Sequence, residues 1–341
     1  MGVRRWIYRK IKGMDKERLN RHIEVISKNT GKSKLYIKFD ILRNFLSRGS
    51  GYTDYFRGDY INLSKEEKDT FVTAKKFYKI LHYLNDQRYI VLLNDKLVFN
   101  KYFNEYIKRD YINLRESNID DFKKFIKDKK IVFAKTPNGE GGHGISKIEV
   151  KNYNVDELYN KLKSKNQLLV EEEIIQSKEL NEINPNVVNS FRVITIMDKE
   201  GNVHLVNNAL RINQDDNDVI GCTNDLYFSL NDDGKIDSNV IDDYGNIYDK
   251  HPLTGKKFSE VKIKGVKQAF DMCTSAHKLI PQVRYIGWDI AFTDKGPVMV
   301  EGNEYPGYGL IQHFKLKNKK EGHLKEISDI LGDEINNIDL K

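Results

Sequence analysis

With 341 residues, 39% of them hydrophobic and 31% charged, the chain has material for roughly two domains of ~150 residues and a sizeable core. Six Pro and 23 Gly exclude a linker-dominated or disordered chain. No run nears the ~18 uninterrupted apolar residues of a membrane span. The net charge of +7 is uneven: residues 1–50 hold fourteen Lys/Arg against Asp15, Glu17, Glu24 and Asp40, so this segment carries +10 and the rest −3. Such a basic arm suits a solvated face or contact with an anionic surface, and Trp6, Ile7 and Ile11 among the cations favour a peripheral membrane contact. No aromatic–basic RNA motif or basic helix-turn-helix accompanies it, so nucleic acid is not an expected partner. The first residues lack the apolar stretch of a secretory signal, and Trp6 stands where a myristoylation site needs Ser or Thr. Cys222 and Cys273 are far apart and make neither a disulfide framework nor a metal motif. A cytoplasmic protein is expected.

Residues 1–115 read as mainly helical. Ser64 and Glu67 form a capping box that opens a helix, and Phe71, Ala74, Phe77, Tyr78, Leu81 and Leu84 follow at spacings of three and four. Ser117-Asn118 starts a further helix with Phe122, Phe125 and Ile126 inward. The texture then changes. Ile131–Lys135 reads as a strand, a Gly-rich loop runs from Gly139 to Gly144, and Ile145–Val150 reads as another strand. Residues 156–163 form a helix and 167–175 a strand that ends in acids. Strands at 191–197 and 203–211 pair around Asp198-Lys199-Glu200-Gly201. A polar loop region follows over 213–257, a helix over 259–280, and a strand pair over 285–293 and 297–303. The class is α+β.

Gly139, Gly141 and Gly144 formally fit G-x-G-x-x-G, but the loop runs into a strand, whereas a dinucleotide fold needs a helix there. Ile145-Ser146 after Gly144 excludes a Walker A loop, and a kinase would place its Lys after the glycines. What remains is strand, Gly loop, strand, with Lys135 on the entering strand. Backbone N–H groups of Gly139, Gly141, Gly142 and Gly144 would cover phosphates, and Lys135 would add a point charge.

In 285–292, alternation puts Ile286, Trp288, Ile290 and Phe292 on one face and Asp289 on the other. In 298–303, Glu301 and Asn303 share a face opposite Val298, Val300 and Gly302. Paired as a hairpin, Asp289, Glu301 and Asn303 would form an oxygen-only cluster suited to Mg2+ bound together with phosphates. Glu171 and Glu172 lie in an acid run at a strand exit, where a carboxylate could meet a ribose and nearby backbone an adenine edge. By itself such a run reads more often as a solvated face. Arg192, and Arg211 at the end of the paired strand, are each able to clamp a carboxylate or phosphate, or to serve in an ion pair.

Taken in order, Phe133-Ala134-Lys135 with its Gly loop, Val170-Glu171-Glu172, Asn189-Ser190-Phe191-Arg192, Gly287-Trp288-Asp289 and Glu301-Gly302-Asn303 resemble the ATP-grasp superfamily. Within it they look most like the branch associated with sugar transfer and surface-polysaccharide biosynthesis. The resemblance runs from about residue 50 to 315. It implies two α+β subdomains sandwiching ATP: 1–115 as a helical basic region, 116–176 as the lid subdomain, and 177–341 as the subdomain with the Mg2+ site. Carried over, Lys135 and Lys96 (or Lys101) would contact phosphates, Gly139 to Gly144 would form the lid, and Glu171, Glu172 and Ile174 would line the adenine–ribose hinge. Asp289, Glu301 and Asn303 would hold Mg2+, with Arg192, Arg211 and Asn303 toward substrate.

The implied chemistry is a carboxylate–amine ligase. ATP phosphorylates a carboxylate, an amine displaces phosphate, and Arg192 and Lys135 stabilise the transferring charge. The alternative is a phosphotransferase acting on a sugar or other small acceptor through the same ATP site. In this setting the basic arm would dock at the inner face of the membrane or on a glycosyltransferase.

Overall fold

The computed structural model describes residues 15–139, 144–214 and 225–340. By contact density the chain falls into two units. The first is Met1–Ile80 with Tyr308–Asp329 and Asp333–Lys341, and the second is Leu81–Gly307 with Ile330–Gly332.

The first unit is helical. Helices Lys16–Thr30 and Lys34–Arg48 are capped at their N-termini by Asp15 and Ser33, and each ends on a glycine in the left-handed region, Gly31 and Gly49. The core joins Ile23, Ile26 and Ile37 to Tyr55, Phe56, Tyr60 and Phe71, with the His22 ring stacked on Phe56 at 4.0 Å. The capping box forms as the sequence predicts, Glu67 N donating to Ser64 Oγ and Ser64 N to Glu67. The single helix predicted from Ser64 to Leu84 is two, Lys65–Asp69 and Ala74–Leu84. Between them Gln312 accepts from Val72 N and donates to Val72 O, which takes this backbone out of any helical ladder. Tyr78 is exposed and lies off the apolar face on which Phe77, Leu81 and Leu84 are buried.

Among the described residues the second unit holds two antiparallel sheets. One has the order β1–β4–β2–β3, from Tyr111–Asn113 (β1), Ile131–Lys135 (β2), Ile145–Glu149 (β3) and Leu169–Glu172 (β4). Val132, Ala134, Ile148 and Val170 face helices Ile119–Ile126 and Val155–Ser164, whose Phe122, Ile126, Leu158 and Leu162 complete that core. The other face presents Phe133 directly opposite Glu171, with Lys135 at the end of β2. Strand β1 lies in a stretch the sequence reads as helical. Its three residues are too few for a visible alternation, and its existence depends on pairing with β4.

The second sheet has the order β7–β6–β5–β8–β9, from Ser190–Met197 (β5), Val203–Asn213 (β6), Asp225–Phe228 (β7), Tyr285–Thr293 (β8) and Gly296–Asn303 (β9). Helix Val266–Lys278 covers one face, where Phe191, Val193, Leu210, Ile212, Trp288, Ile290 and Phe292 are buried. That helix begins seven residues later than the predicted 259, because Gly265 at φ 84° sets its start and only a short 3-10 turn, Phe258–Glu260, precedes it. Strand β7 occupies part of the predicted loop region; its four residues, all buried, carry no alternating polarity to read.

A register shift at Asp289/Ile290 inserts Val300 as an extra residue in β9, so that Met299 pairs with Ile290. Simple alternation puts Met299 on the face of Glu301 and Asn303, and the bulge turns it into the core instead.

Candidate functional site

The face of the second sheet turned away from its helix is polar because three of its strands carry Arg or acid at matching register. Arg192 of β5 lies directly opposite Asp289 of β8, and Asp289 opposite Glu301 of β9. One register step along, Gly287 pairs with Asn303; on the other side, Ser190 pairs with Arg211 of β6, and Arg211 with Tyr227 of β7. The sequence therefore converges on one surface the residues expected to hold metal and substrate.

Arg192 and Asp289 form a two-pronged ion pair, Nε to Oδ1 and Nη2 to Oδ2, while Nη1 donates to the Pro306 carbonyl at 2.8 Å. Gly287 makes room for this: a Cβ there would lie 2.2 Å from Pro306 Cβ and 3.2 Å from Arg192 Cδ. Arg211 bonds the buried Asp225 at 2.6 Å and leaves its own Nε without a partner among the described residues. Burial pushes the Asp225 carboxyl up, and Arg211 opposes that rise.

The Asn303 amide nitrogen and the Ser190 hydroxyl are likewise buried without a hydrogen bond among the described residues. Buried polar groups seldom stay unsatisfied, so these mark a surface that a polar ligand completes. Among the described residues no three His, Cys, Asp or Glu side chains group as a metal cluster. The donor chemistry of Asp289, Glu301 and the Asn303 carbonyl nevertheless fits Mg2+, which takes hard oxygens and leaves positions to phosphate and water.

A second cluster surrounds Glu171. Its carboxylate is nearly fully buried and receives Arg109 Nη2 at 2.6 Å, Asn100 Nδ2 at 2.7 Å and the Lys135 ammonium. Burial pushes this carboxyl up, but Arg109 and Lys135 together overcome it and bring the pKa down to about 2. Arg109 Nη1 also donates to the Met299 carbonyl at 2.6 Å, which ties β9 to the first sheet. Glu172 lies at the rim, accepting from Asp110 N at 2.9 Å and pairing with Lys129. Just beyond β4, the Ile174 backbone makes no hydrogen bond among the described residues.

Helix Lys96–Tyr102, capped by Asp95, joins the two clusters. Lys96 and Asn100 are one helical turn apart on the same face. Asn100 reaches Glu171, while Lys96 Nζ lies 3.2 Å from Glu301 and donates to the Gly139 carbonyl at 2.8 Å. Lys101, the other phosphate candidate from the sequence, is exposed on the same helix.

The expected lid residues Gly141 and Gly142, with Glu140 and His143 beside them, lie outside the described residues, as do the basic stretch 1–14 with Trp6, Ile7 and Ile11, and Cys222. Gly144 has φ +80°, and a Cβ there would sit 2.3 Å from Thr136 Oγ1, so this end of the loop requires glycine. The sequence reading missed Arg109 and Asn100. Neither belongs to a motif, and only the buried acid to which both donate reveals them.

A mixed α+β unit with Lys135 on the strand entering a Gly-rich hairpin, and an acid–amide set on an opposing antiparallel sheet, defines an ATP-grasp enzyme. The chain belongs to the sugar-transfer associated ATP-grasp family, whose model matches residues 76–321. No curated protein matches the sequence. Among solved structures it is similar to the ATP-grasp ligase PsnB complexed with minimal precursor (14% identity, TM-score 0.43, covering 72% of this chain and 63% of that one). It is similar also to the ADP complex of PurK, N5-carboxyaminoimidazole ribonucleotide synthetase (12%, 0.42, 68% and 52%). A third is D-alanyl-alanine synthetase A from Vibrio cholerae O1 biovar eltor str. N16961 (12%, 0.41, 72% and 65%). The chain thus spans between about half and two-thirds of the length of these structures. Among the described residues no helix is long and apolar enough to cross a membrane.

Proposed function

We propose that the chain is an ATP-dependent carboxylate–amine ligase acting on a sugar or glycan precursor of surface-polysaccharide biosynthesis in the cytoplasm. The observation that carries this reading is the single polar sheet face on which Arg192, Asp289, Glu301, Asn303, Ser190 and Arg211 meet, with three of their polar atoms lacking partners among the described residues. In it, residues 116–176 supply the lid subdomain and 177–341 the subdomain of the metal site.

The unbonded backbone at Ile174 receives the adenine edge, Glu171 and Glu172 mark the ribose side, and Lys135 and Lys96 supply positive charge to the phosphates. Asp289, Glu301 and Asn303 would hold Mg2+, which supplies charge neutralisation to the transferring phosphoryl group when bound. Arg211 and Ser190 orient a carboxylate beside Arg192. The carboxylate oxygen attacks the γ-phosphorus, ADP leaves, and an amine then attacks the acyl carbon and expels phosphate. Arg192 carries a fixed positive charge where negative charge develops on the acyl oxygen. The lid excludes water that would hydrolyse the acyl phosphate.

The test is product analysis with Mg-ATP, uronic acids and free amino acids added singly and together. ADP and phosphate released only with acid and amine together support the ligase. Phosphate retained on a hydroxylated acceptor points instead to the phosphotransferase. No turnover, and no nucleotide binding that Lys135→Met weakens, would sink the site assignment.

A further inference from the structure

Helix Lys34–Arg48 turns its buried residues, Ile37 and Asn44, into the first unit and leaves a second apolar stripe on the opposite side. Leu35, Phe39, Leu42 and Leu46 follow one another at spacings of four, three and four, which places them in one line along the helix. They are 65%, 63%, 49% and 63% exposed. Single exposed leucines are ordinary on a protein surface, whereas four large apolar side chains in an uninterrupted line mark an interaction face.

The helix's own charges beside the stripe are of one sign. Lys34 and Lys38 flank it on one side, the Lys34 ammonium 2.9 Å from the Glu24 carboxylate of the preceding helix, and Arg43 lies on the other. The one acid on the helix, Asp40, lies off the stripe and accepts the Tyr55 hydroxyl at 2.6 Å. Tyr36, half-exposed at the edge of the stripe, has the Lys32 ammonium 5.2 Å from its ring centre.

The same charges select among occupants. A 4-3-4 spacing would suit pairing with the same helix of a second copy, but the flanking positions would then set Lys and Arg against Lys and Arg. The first fourteen residues of the chain fit no better, since they hold Arg4, Arg5, Arg9, Lys10 and Lys12 and no acid. With Lys34 turned to Glu24, the apolar line is bordered by Lys38 and Arg43, which matches a surface that is apolar within and anionic at its edge.

We propose that the Leu35–Phe39–Leu42–Leu46 face is a docking site for an anionic lipid bilayer, in which the four side chains enter the acyl boundary while Lys38 and Arg43 reach the headgroups. The face belongs to the first unit and its assignment does not depend on the ATP chemistry. It brings a chain without a described membrane span to the membrane surface, where lipid-linked sugar acceptors would be reached.

Co-sedimentation of the full chain with vesicles tests this. The wild type binds phosphatidylglycerol–phosphatidylcholine vesicles, binds pure phosphatidylcholine far more weakly, and is released by salt. Phe39→Gln with Leu42→Gln lowers the partition coefficient about a hundredfold or more, since two large apolar side chains no longer leave water for the acyl boundary. Because both side chains point to solvent, the pair leaves the melting temperature and nucleotide binding unchanged, which separates a lost docking face from a lost fold. Lys38→Glu with Arg43→Glu removes the preference for anionic vesicles. Failure of the wild type to bind them overturns the proposal, as does equal binding by the Gln pair. A wild-type dimer that the Gln pair converts to monomer, without vesicle binding by either, assigns the face to a second copy and overturns it as well.

Discussion

Replacing Glu171 by Gln removes the one negative charge shared by Arg109 and Lys135 while keeping the shape of the side chain. The Asn100 amide would still find a carbonyl oxygen to bond, but two buried cations would lose their counter-charge. The magnitude follows from the carboxyl itself. Its pKa falls from the ordinary 4.5 to about 2 in the folded chain. That difference corresponds to about 3 kcal/mol favouring the folded state at neutral pH. It agrees with the ~3–5 kcal/mol typical of breaking one partner out of a buried ion pair.

For a unit of this size about 3 kcal/mol lowers the melting temperature by roughly 6–12 °C. The sign with pH follows from the depressed value. The contribution is complete above the unfolded pKa, near 4.5, and is lost as pH falls toward about 2. Thermal melts followed by circular dichroism at pH 7 and across pH 5 to 2.5 would therefore show a gap between wild type and E171Q that closes on the acid side. Adding Lys135→Met to E171Q recovers part of the loss by removing one unpaired cation. A melting temperature for E171Q within about 2 °C of wild type at pH 7 would refute the reasoning, because the Arg109–Glu171–Lys135 cluster would then contribute nothing beyond its hydrogen bonds.

Lys135→Met alone leaves Glu171 with Arg109 and Asn100, so the expected melting shift is smaller than for E171Q, while calorimetric ATP affinity drops about ten- to hundredfold. Gly144→Ala places a Cβ against Thr136 Oγ1 at a positive φ, and costs at least about 1–2 kcal/mol in denaturant unfolding; equal stability would show that the hairpin relaxes freely. Asp289→Asn frees Arg192 from its two-pronged partner and removes a carboxylate from the proposed Mg2+ donor set, so turnover is expected to be lost and nucleotide binding to cease responding to Mg2+; unaltered Mg2+ dependence would remove Asp289 from that set. His277 is buried, bonds Thr195 Oγ1 and the Val283 carbonyl, and has its pKa lowered to about 4 by burial. Its stabilisation is whole above about pH 6.5 and disappears as pH falls toward 4, so unfolding scans of wild type and His277→Gln should converge over that window.

The motif-bearing strands were legible because each satisfies two local demands at once. In β8, Trp288 must be apolar to pack in the core and Asp289 polar to face away from it, so alternation shows both. Glu301 and Asn303 show themselves in the same way. What alternation cannot show is a change of count along the strand. Val300 looks like an ordinary core residue, yet it is the extra residue that lets Met299 turn inward while Glu301 still pairs with Asp289.

A similar shift at Ile194/Thr195 lies on the β6 side, where Val206 is the extra residue, so β5 keeps its alternation: Arg192 stays on the polar face and Thr195 on the core face, where it accepts from Trp288 Nε1 at 2.9 Å. The bulges are set by long-range pairing and have no glycine or turn residue to announce them. The charges around the site were also only half legible. Sequence shows which side chains are ionic, but pairing decides what their charge does. Asp289 is held by Arg192 and Glu301 lies against Lys96, so both proposed metal-binding carboxylates already have cationic neighbours. In the proposed site an incoming Mg2+ would therefore compete with Arg192 and Lys96 for these carboxylates. The phosphates that arrive with it are what those two cations would turn to, which would make metal and nucleotide binding mutually dependent on this sheet face.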